Sequence, residues 1–513
     1  MDLHKSLKTE SWMSPTNNFG GARPRSAVFR TSASPEIGGG HVTRCLALAD
    51  MLSAQGWQCT FASGEKTLPT MPALADSAHK ISRVLDETAA PSKRDGAWSP
   101  EECDLLVFDH YALDAAYESA CRPWAKRIVV LDDLANRPHD CDVLLDQTLG
   151  RRPEDYESLV PSQCNLLLGT KFTLLRSAFA GARKRAATER DGQLRNVLIA
   201  PGQTDQAGLT TLAVTAIQQA LPDAEINIVV GVRNPQFATF DQPGADNVHV
   251  HVGASAEAVA ELITNADIAI GAAGSSAWER CALGLPAALV IIADNQSEVA
   301  ATLEEAGAAK VVGRVENLDV DTLATAIENL AANPDLLVHM SQKASEICDG
   351  RGTFRTMVAL TPDLPAVDGS TIRLRAAELV DAALMYDWQI HRDTRKYARC
   401  ESMPPFREHM SWLRQRLTNA GCLFTIIERD GAPAGILRLD ACSDGYEISI
   451  VVAPNRRNQS IGAAALQLGR ALVPGKKLSA YVKRENTASV RLFESAGYRL
   501  GSDGMYSHLP SAA

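Results

Sequence analysis

The chain reads as an α/β protein: two doubly wound parallel-sheet domains in tandem, then a separate α+β domain. Three observations predict this. Short, almost wholly apolar runs alternate with helical patterns from residue 26 to about 149, as parallel strands covered on both faces do. The same alternation restarts near residue 196 and continues to about 313. After a stretch rich in Pro, Gly and Asp at 360–370 the order changes to strand, helices, three strands, helix, strand, helix, which suits antiparallel strands flanked by helices.

Residues 1–24, rich in Ser, Asn, Gly and Pro, read as a disordered leader. The first domain, 25–182, has its clearest strands at 59–62, 105–108, 128–131 and 143–145. A further apolar run, Ala27-Val28-Phe29, leads to a helical pattern through Ile37-Gly38-Gly39-Gly40-His41-Val42-Thr43-Arg44-Cys45. Glycines there let backbone approach a ligand, and the helix start supplies free N–H groups. His41 therefore stands at the mouth of a cleft, with a ring that takes a proton near neutral pH. The plainer reading is a first-turn residue capping its own backbone. Asp109-His110-Tyr111 ends another strand on the same rim, where Tyr111 faces substrate and Asp109 reads as a buried acid fixing backbone. The spacing G-x-G-x-x-G is missing and no acid ends the strand at 59–62, so a dehydrogenase is disfavoured.

Arg183-Lys184-Arg185 reads as a charged linker into the second domain, 190–350. Strands fall at 196–200, 226–230, 248–252, 267–270 and 288–292, with helical patterns from 318 to 347. The fourth strand runs into Gly271-Ala272-Ala273-Gly274-Ser275-Ser276-Ala277-Trp278-Glu279-Arg280. Small residues in this turn leave room for a diphosphate, Ser275 and Ser276 add hydroxyl donors, and Glu279 one turn on offers a carboxylate to ribose hydroxyls. The alternative is tight helix–sheet packing, with Glu279 as a first-turn acid. Ala293-Asp294-Asn295-Gln296 sets three polar side chains at the next strand's carboxyl end. A helix-capping role suits Asp294 but explains Asn295 and Gln296 less well. Ligands of such sheets bind outside the carboxyl ends of the strands, which places the site between the two domains.

Residues 351–370 read as a flexible linker, so cutting near Pro365 should release two soluble, independently active parts. The third domain, 371–513, has strands at 372–374, 423–428, 435–439, 447–452 and 477–482, with helices around Met385 and Trp412, from near Ile461 and from Ala488. Arg456-Arg457-Asn458-Gln459-Ser460-Ile461-Gly462-Ala463, between a strand and a helix, suits a diphosphate held by backbone N–H groups. Asn486-Thr487-Ala488-Ser489-Val490-Arg491-Leu492-Phe493-Glu494-Ser495-Ala496-Gly497-Tyr498 reads locally as an amphipathic helix with a glycine cap.

Composition narrows the function. The net charge of −10 over 513 residues gives no footprint for nucleic acid or anionic membranes. Eleven cysteines without a C-x-x-C pair or a cluster of metal-ligand spacing point to reduced thiols, no metal and a cytoplasmic location. No apolar run reaches the length of a membrane span.

At residues 26–350 these pieces resemble the UDP-2,4-diacetamido-2,4,6-trideoxy-β-L-altropyranose hydrolases of pseudaminic acid biosynthesis, which have the type-B glycosyltransferase fold of two Rossmann-like domains. The resemblance rests on residues 37–45, Asp109-His110-Tyr111, Leu131-Asp132-Asp133-Leu134-Ala135-Asn136-Arg137, Leu145-Asp146-Gln147, residues 271–284 and Ala293-Asp294-Asn295-Gln296. It implies removal of UDP by water with inversion at the anomeric carbon. His41 is then the general base beside Gly40, while Gly274, Ser275 and Glu279 hold UDP, and Tyr111, Asn295 and Gln296 meet the sugar. Ser32 stands where an aspartate is frequent, and Pro201-Gly202-Gln203-Thr204-Asp205 replaces a Gly-Gly-Ser/Thr-Asp turn.

Residues 371–509 resemble the GNAT N-acetyltransferases, which implies acetyl-CoA as co-substrate held at Val451, Arg456, Arg457, Gly462, Ala463 and Asn486. Ser460 replaces a usual glycine, and Phe493 stands where many of these enzymes place the tyrosine that protonates the CoA thiolate. Tyr498, Tyr481 or water is left to supply that proton. Together the two resemblances imply a bifunctional enzyme that N-acetylates a UDP-4-amino-4,6-dideoxy-sugar and then hydrolyses the product. The rivals are a type-B glycosyltransferase using a UDP-sugar donor, and a nucleotide-sugar-binding protein with an inactive acetyltransferase domain.

Overall fold

The computed structural model describes residues 25–509 apart from 86–87, 89–101, 187–189, 204, 206, 233–246, 367 and 420; the expected leader, 1–24, lies outside the described residues. Three sheets carry the fold. The first contains β1 (Ser26–Thr31), β2 (Gln58–Ser63), β3 (Lys80–Arg83), β4 (Leu105–Asp109), β5 (Ile128–Leu131), β6 (Val143–Asp146) and β7 (Asn165–Leu168). They pair in parallel in the order β3-β2-β1-β4-β5-β6-β7. β4, β5 and β6 are buried along their whole length, which is why they are continuous apolar runs. The edge strand β3 reads Lys-Ile-Ser-Arg and leaves no such mark in the sequence.

The second sheet contains β8 (Asn196–Gly202), β9 (Glu225–Val230), β10 (Val248–Val252), β11 (Ile268–Ala272), β12 (Ala287–Ile291) and β13 (Ala309–Arg314). These are again parallel, in the order β10-β9-β8-β11-β12-β13. Strand order reverses between β1 and β4 in the first sheet and between β8 and β11 in the second, and each reversal opens a crevice at the carboxyl ends. Six helices matter below: α1 (Gly40–Ala54), α2 (Ser177–Ala186), α3 (Ser276–Ala282), α4 (Gly352–Ala359), α5 (Ile461–Leu472) and α6 (Thr487–Ser495). α1 follows β1 and α3 follows β11, so each helix starts at its crevice.

Two stretches read as linkers are helices. Arg183-Lys184-Arg185 ends α2, and the Arg183 guanidinium donates to the carbonyls of Ala282, Ser345 and Cys348. Those carbonyls lie at helix ends, where no intrahelical donor remains for them, so the charge anchors α2 to the second domain. Within 351–370, α4 is buried from Gly352 to Val358. Gly352 is required there: a Cβ would stand 2.3 Å from the backbone of Thr173. Phe354, Met357 and Val358 belong to one apolar core that runs from Leu46 and Leu52 of α1 to Ile372 and Leu374 beyond. Arg351 donates to the carbonyl of Ala377, and Arg127 to that of Leu360.

The third sheet contains β14 (Leu364–Pro365), β15 (Thr371–Ala376), β16 (Cys422–Arg429), β17 (Ala432–Cys442), β18 (Gly445–Val452), β19 (Lys477–Ala480), β20 (Arg499–Leu500) and β21 (Tyr506–His508). Its order is β14-β15-β16-β17-β18-β19-β21-β20. It is mixed rather than purely antiparallel, because β18 and β19 run in parallel. Their ladder holds only from Gly445–Lys477 to Glu447–Ser479, after which the strands part. This domain rests on the far end of α1 from His41. Gln55 Nε2 meets Tyr446 Oη at 3.4 Å, and a Cβ on Gly56 would lie 3.2 Å from the Gly475 Cα.

Candidate active sites

The first crevice gathers His41, Arg44 and Asp109 between β1 and β4. His41, in the first turn of α1, is 6% exposed, and its Nδ1 faces Asp109 Oδ1 at 3.7 Å. Burial pulls its ring below the ordinary histidine value, against the pull of Asp109, so the ring is neutral at neutral pH. Arg44 sits one turn on and grips Asp109 with two bonds, Nε to Oδ2 at 2.7 Å and Nη2 to Oδ1 at 2.6 Å; its Nη1 donates to Asp133 Oδ2 at 3.0 Å. Burial opposes a charge on Asp109, but Arg44 and His41 outweigh it and hold the carboxyl below the usual carboxylate range. Asp109 therefore does more than fix backbone: it is gripped by an arginine from the helix opposite and faces, beyond hydrogen-bond reach, the buried Nδ1 of His41, which has no hydrogen-bond partner among the described residues. The Tyr111 ring stands edge-on to His41 at 4.4 Å, and burial pushes its hydroxyl up to about 12.

The second domain supplies the facing wall. A Cβ on Gly40 would lie 3.1 Å from Ser275 Oγ, so the glycine turn of one domain touches the small-residue turn of the other. Asn295 Nδ2 donates to Tyr111 Oη at 3.3 Å across the same cleft. Gly274 passes beside Gln296, whose Oε1 accepts from the Ile292 N–H. Arg280 braces the turn from beneath, donating to the Ala272 carbonyl at 2.7 Å and to Ser276 Oγ at 3.2 Å. Glu279 is half-buried, and burial pushes its carboxyl up to about 7 against Arg280 and Arg176. Asp205, in the unusual turn, has a left-handed φ of 43° and accepts from the N–H groups of Leu209 and Thr210. It caps a helix and is committed there. Ser32 is buried at the end of β1.

In the third domain a cavity of about 870 Å³ opens where β18 and β19 part. Val451, Arg456, Arg457, Gly462, Ala463 and Asn486 all line it. Beyond Glu447, β18 has no β19 partner, so its edge offers backbone groups to an extended ligand. Asn458 and Ser460 both take left-handed φ, 61° and 57°, which turns the loop before α5 into a backbone cradle. Ser460 bears this without glycine's freedom. Gly462 passes so close to Leu492 of α6 that a Cβ would stand 2.9 Å from it, and Asn486 caps α6 through the Ser489 N–H. These features fit the diphosphate and the extended arm of an acyl-CoA. Phe493 reaches the cavity, but Tyr498 packs edge-on behind it at 5.0 Å and lies outside the cavity wall. Its hydroxyl is buried with no hydrogen-bond partner among the described residues. Tyr481 does line the cavity and is 49% exposed, under the guanidinium of Arg399. Glu447, at the point of parting, receives a 2.6 Å bond from Arg399; the sequence pattern gave neither residue a role.

Comparison with known proteins agrees with this division. Residues 197–351 match the glycosyltransferase family 28 C-terminal domain, and residues 385–498 match the acetyltransferase (GNAT) family. The UDP-2,4-diacetamido-2,4,6-trideoxy-β-L-altropyranose hydrolase of Campylobacter jejuni is 25% identical over 286 residues, 55% of this chain and 96% of that protein. An uncharacterized protein of Methanocaldococcus jannaschii is 20% identical over 497 residues, 92% of this chain and 96% of its own length. The spore coat polysaccharide biosynthesis protein SpsG of Bacillus subtilis is 24% identical over 270 residues, 52% of this chain and 78% of that protein. A crystal structure of MurG from Acinetobacter baumannii aligns at 18% identity and a TM-score of 0.44, over 64% of this chain and 97% of that one. The chain thus carries a pair of α/β domains of the type-B glycosyltransferase fold, the second of which matches the glycosyltransferase family 28 C-terminal domain, and a domain that matches the GNAT acetyltransferases. Among the described residues no helix is long and apolar enough to cross a membrane.

Proposed function

We propose that the chain is a bifunctional enzyme that N-acetylates a UDP-4-amino-4,6-dideoxy-sugar from acetyl-CoA and then hydrolyses UDP from UDP-2,4-diacetamido-2,4,6-trideoxy-β-L-altropyranose. The observation that carries this reading is the pair of facing turns, with a neutral His41 on one and Ser275 and Glu279 on the other. Similarity to the Campylobacter hydrolase supports the substrate.

In the hydrolytic site Glu279 accepts hydrogen bonds from ribose hydroxyls, and Gly274 and Ser275 leave space and donors for the diphosphate. Tyr111 and Asn295, already in contact across the cleft, meet the sugar between them, with Gln296 beside them. His41 Nδ1 faces Asp109, which leaves Nε2 to take a proton from water as its oxygen attacks the anomeric carbon and UDP departs from the other face. The developing imidazolium is stabilised by Asp109, whose charge Arg44 holds in place. The attack inverts the anomeric centre. In the acetyl-transfer site the amine attacks the acetyl carbonyl, Glu447 takes the amine proton, the C–S bond breaks, and Tyr481 with solvent returns a proton to the thiolate. Incubating the chain with UDP-4-amino-4,6-dideoxy-N-acetyl-altrosamine and acetyl-CoA, with UDP and free sugar followed by NMR, tests both steps. Release of UDP and a diacetamido sugar is expected only when acetyl-CoA is present.

A further inference from the structure

Cys141 and Cys164 stand with their sulfurs 3.6 Å apart, in contact but not joined. Cys141 comes just before β6 and Cys164 just before β7, at the amino ends of two neighbouring strands. The backbone around them is already fixed. β6 and β7 pair in parallel from Val143 and Asn165 onward, the Asn165 N–H donates to the Asp142 carbonyl, and the Cys164 N–H donates to that of Pro161. The sulfurs of a disulfide lie about 2.05 Å apart, so from 3.6 Å the two side chains have about 1.5 Å to close by turning on their own bonds. The two thiols differ in access. Cys141 is 1% exposed, and Cys164 is half-buried. The S–H of Cys141 donates to the Cys164 sulfur, and this bond, with the Arg122 guanidinium nearby, holds the Cys164 thiol below the ordinary cysteine value against its burial. The same bond and burial push the Cys141 thiol up. A reachable thiol of lowered pKa backed by a covered one is the arrangement of an attacking and a resolving cysteine.

We infer that Cys141 and Cys164 form a reversible dithiol site, closed to a disulfide by exchange with a low-molecular-weight disulfide such as oxidised glutathione. The Cys164 thiolate attacks one sulfur of the small disulfide and expels the other half as a thiolate, which takes up a proton. Cys141 then gives up its proton and attacks the Cys164 sulfur; the bond to the remaining half breaks, and that half leaves as a second thiol. The pair is oxidised by two electrons, and the small disulfide is reduced to two thiols. An excess of thiol runs the exchange backwards. The two cysteines lie 23 residues apart, and the segment between them carries Tyr156, whose hydroxyl lies 2.8 Å from a carboxylate oxygen of each of Asp132 and Asp146. It also carries Arg151, which donates to Asp146 and to the Asp133 carbonyl. A link at the root of this segment removes freedom from the unfolded chain and leaves the carboxyl ends of the strands, where the crevice opens, as they are. The site therefore acts as a staple on the first domain and does not depend on the reactions proposed above.

The test incubates the full chain with mixtures of reduced and oxidised glutathione, quenches in acid, alkylates the free thiols and maps the unreduced digest by mass spectrometry. Excess oxidised glutathione should yield a peptide pair joined through Cys141 and Cys164, two hydrogens lighter than the separate peptides, and dithiothreitol should part it again. In Cys141→Ala the exchange should stop halfway, with glutathione held on Cys164. In Cys164→Ala the covered Cys141 should stay free. By calorimetry the linked wild-type chain should melt about 5 °C or more above the reduced one. Four results would overturn the inference: both cysteines alkylated at every ratio, Cys164 holding glutathione in the wild-type chain without passing it to Cys141, Cys164 joined to a different cysteine, or a link that leaves the Tm unchanged or lowers it. The wild-type map decides the pairing by itself, so a variant that fails to fold does not shield it.

Discussion

Burial pushes His41 and Glu279 alike toward their uncharged forms, and the consequences for the reaction are opposite. A neutral imidazole is what a base needs, so the proton-accepting form of His41 persists as pH falls to about 6.5, the ordinary histidine value, and is lost only below it. A neutral carboxyl is a poor acceptor for two ribose hydroxyls. Glu279, at about 7, becomes ionised as pH rises through neutrality. Affinity for a UDP-sugar, whose diphosphate does not titrate there, should therefore increase between about pH 6 and pH 8 while kcat for hydrolysis stays flat. Calorimetry across that range checks the first part, and Glu279→Gln should remove the slope. His41→Ala should cut hydrolysis by roughly 10²–10⁴-fold and leave UDP affinity within a few-fold, the scale of a lost general base. That His41, Tyr111, Ser275 and Asn295 would come close to one another was legible, because each follows an apolar run at a strand's carboxyl end. The Arg44–Asp109 grip was not. Its partners lie 65 residues apart, and no local pattern joins them.

At the scale of elements, α4 is the segment the sequence hid. Eight residues are too few for a helical periodicity to stand out, and Pro362, Pro365 and Gly369 behind it carry turn chemistry. It is apolar because α1 covers one flank and the third sheet the other. Met357→Ala should then cost about 2–5 kcal/mol, as large-to-small changes in cores do, and differential scanning calorimetry would read it as a lower Tm. Limited proteolysis should fail to release a stable fragment by cutting at 352–360, since that backbone is helical and buried. The strands of all three domains were legible wherever both faces are covered. The parallel pairing of β18 with β19 was not, because strand direction depends on how the intervening α5 crosses the sheet, which a strand's own residues do not record.

Across the whole molecule the first crevice and the contact with the third domain stand at opposite ends of α1. His41 lies in its first turn, and the third domain touches Gln55 and Gly56 just past its last. Fifteen residues of helix, about 22 Å, lie between the crevice and that contact, and the core along them is apolar. With that core between the crevice and the contact, an acetylated UDP-sugar of the proposed reaction should leave one site and find the other through solvent. Adding unlabelled intermediate to a reaction run on labelled amine should dilute the label in the released sugar in full proportion; a sugar that keeps its label would show direct transfer. The same apolar seam has a consequence for how the protein ages. Because α4 is core to both halves, damage that loosens one half loosens the other, and heating should extinguish acetylation and hydrolysis along a single inactivation curve. Two catalysts tied in this way, as the proposed function has them, would be made in equal number and retired together, so a cell carrying the chain would not drift into a surplus of one activity by losing the other.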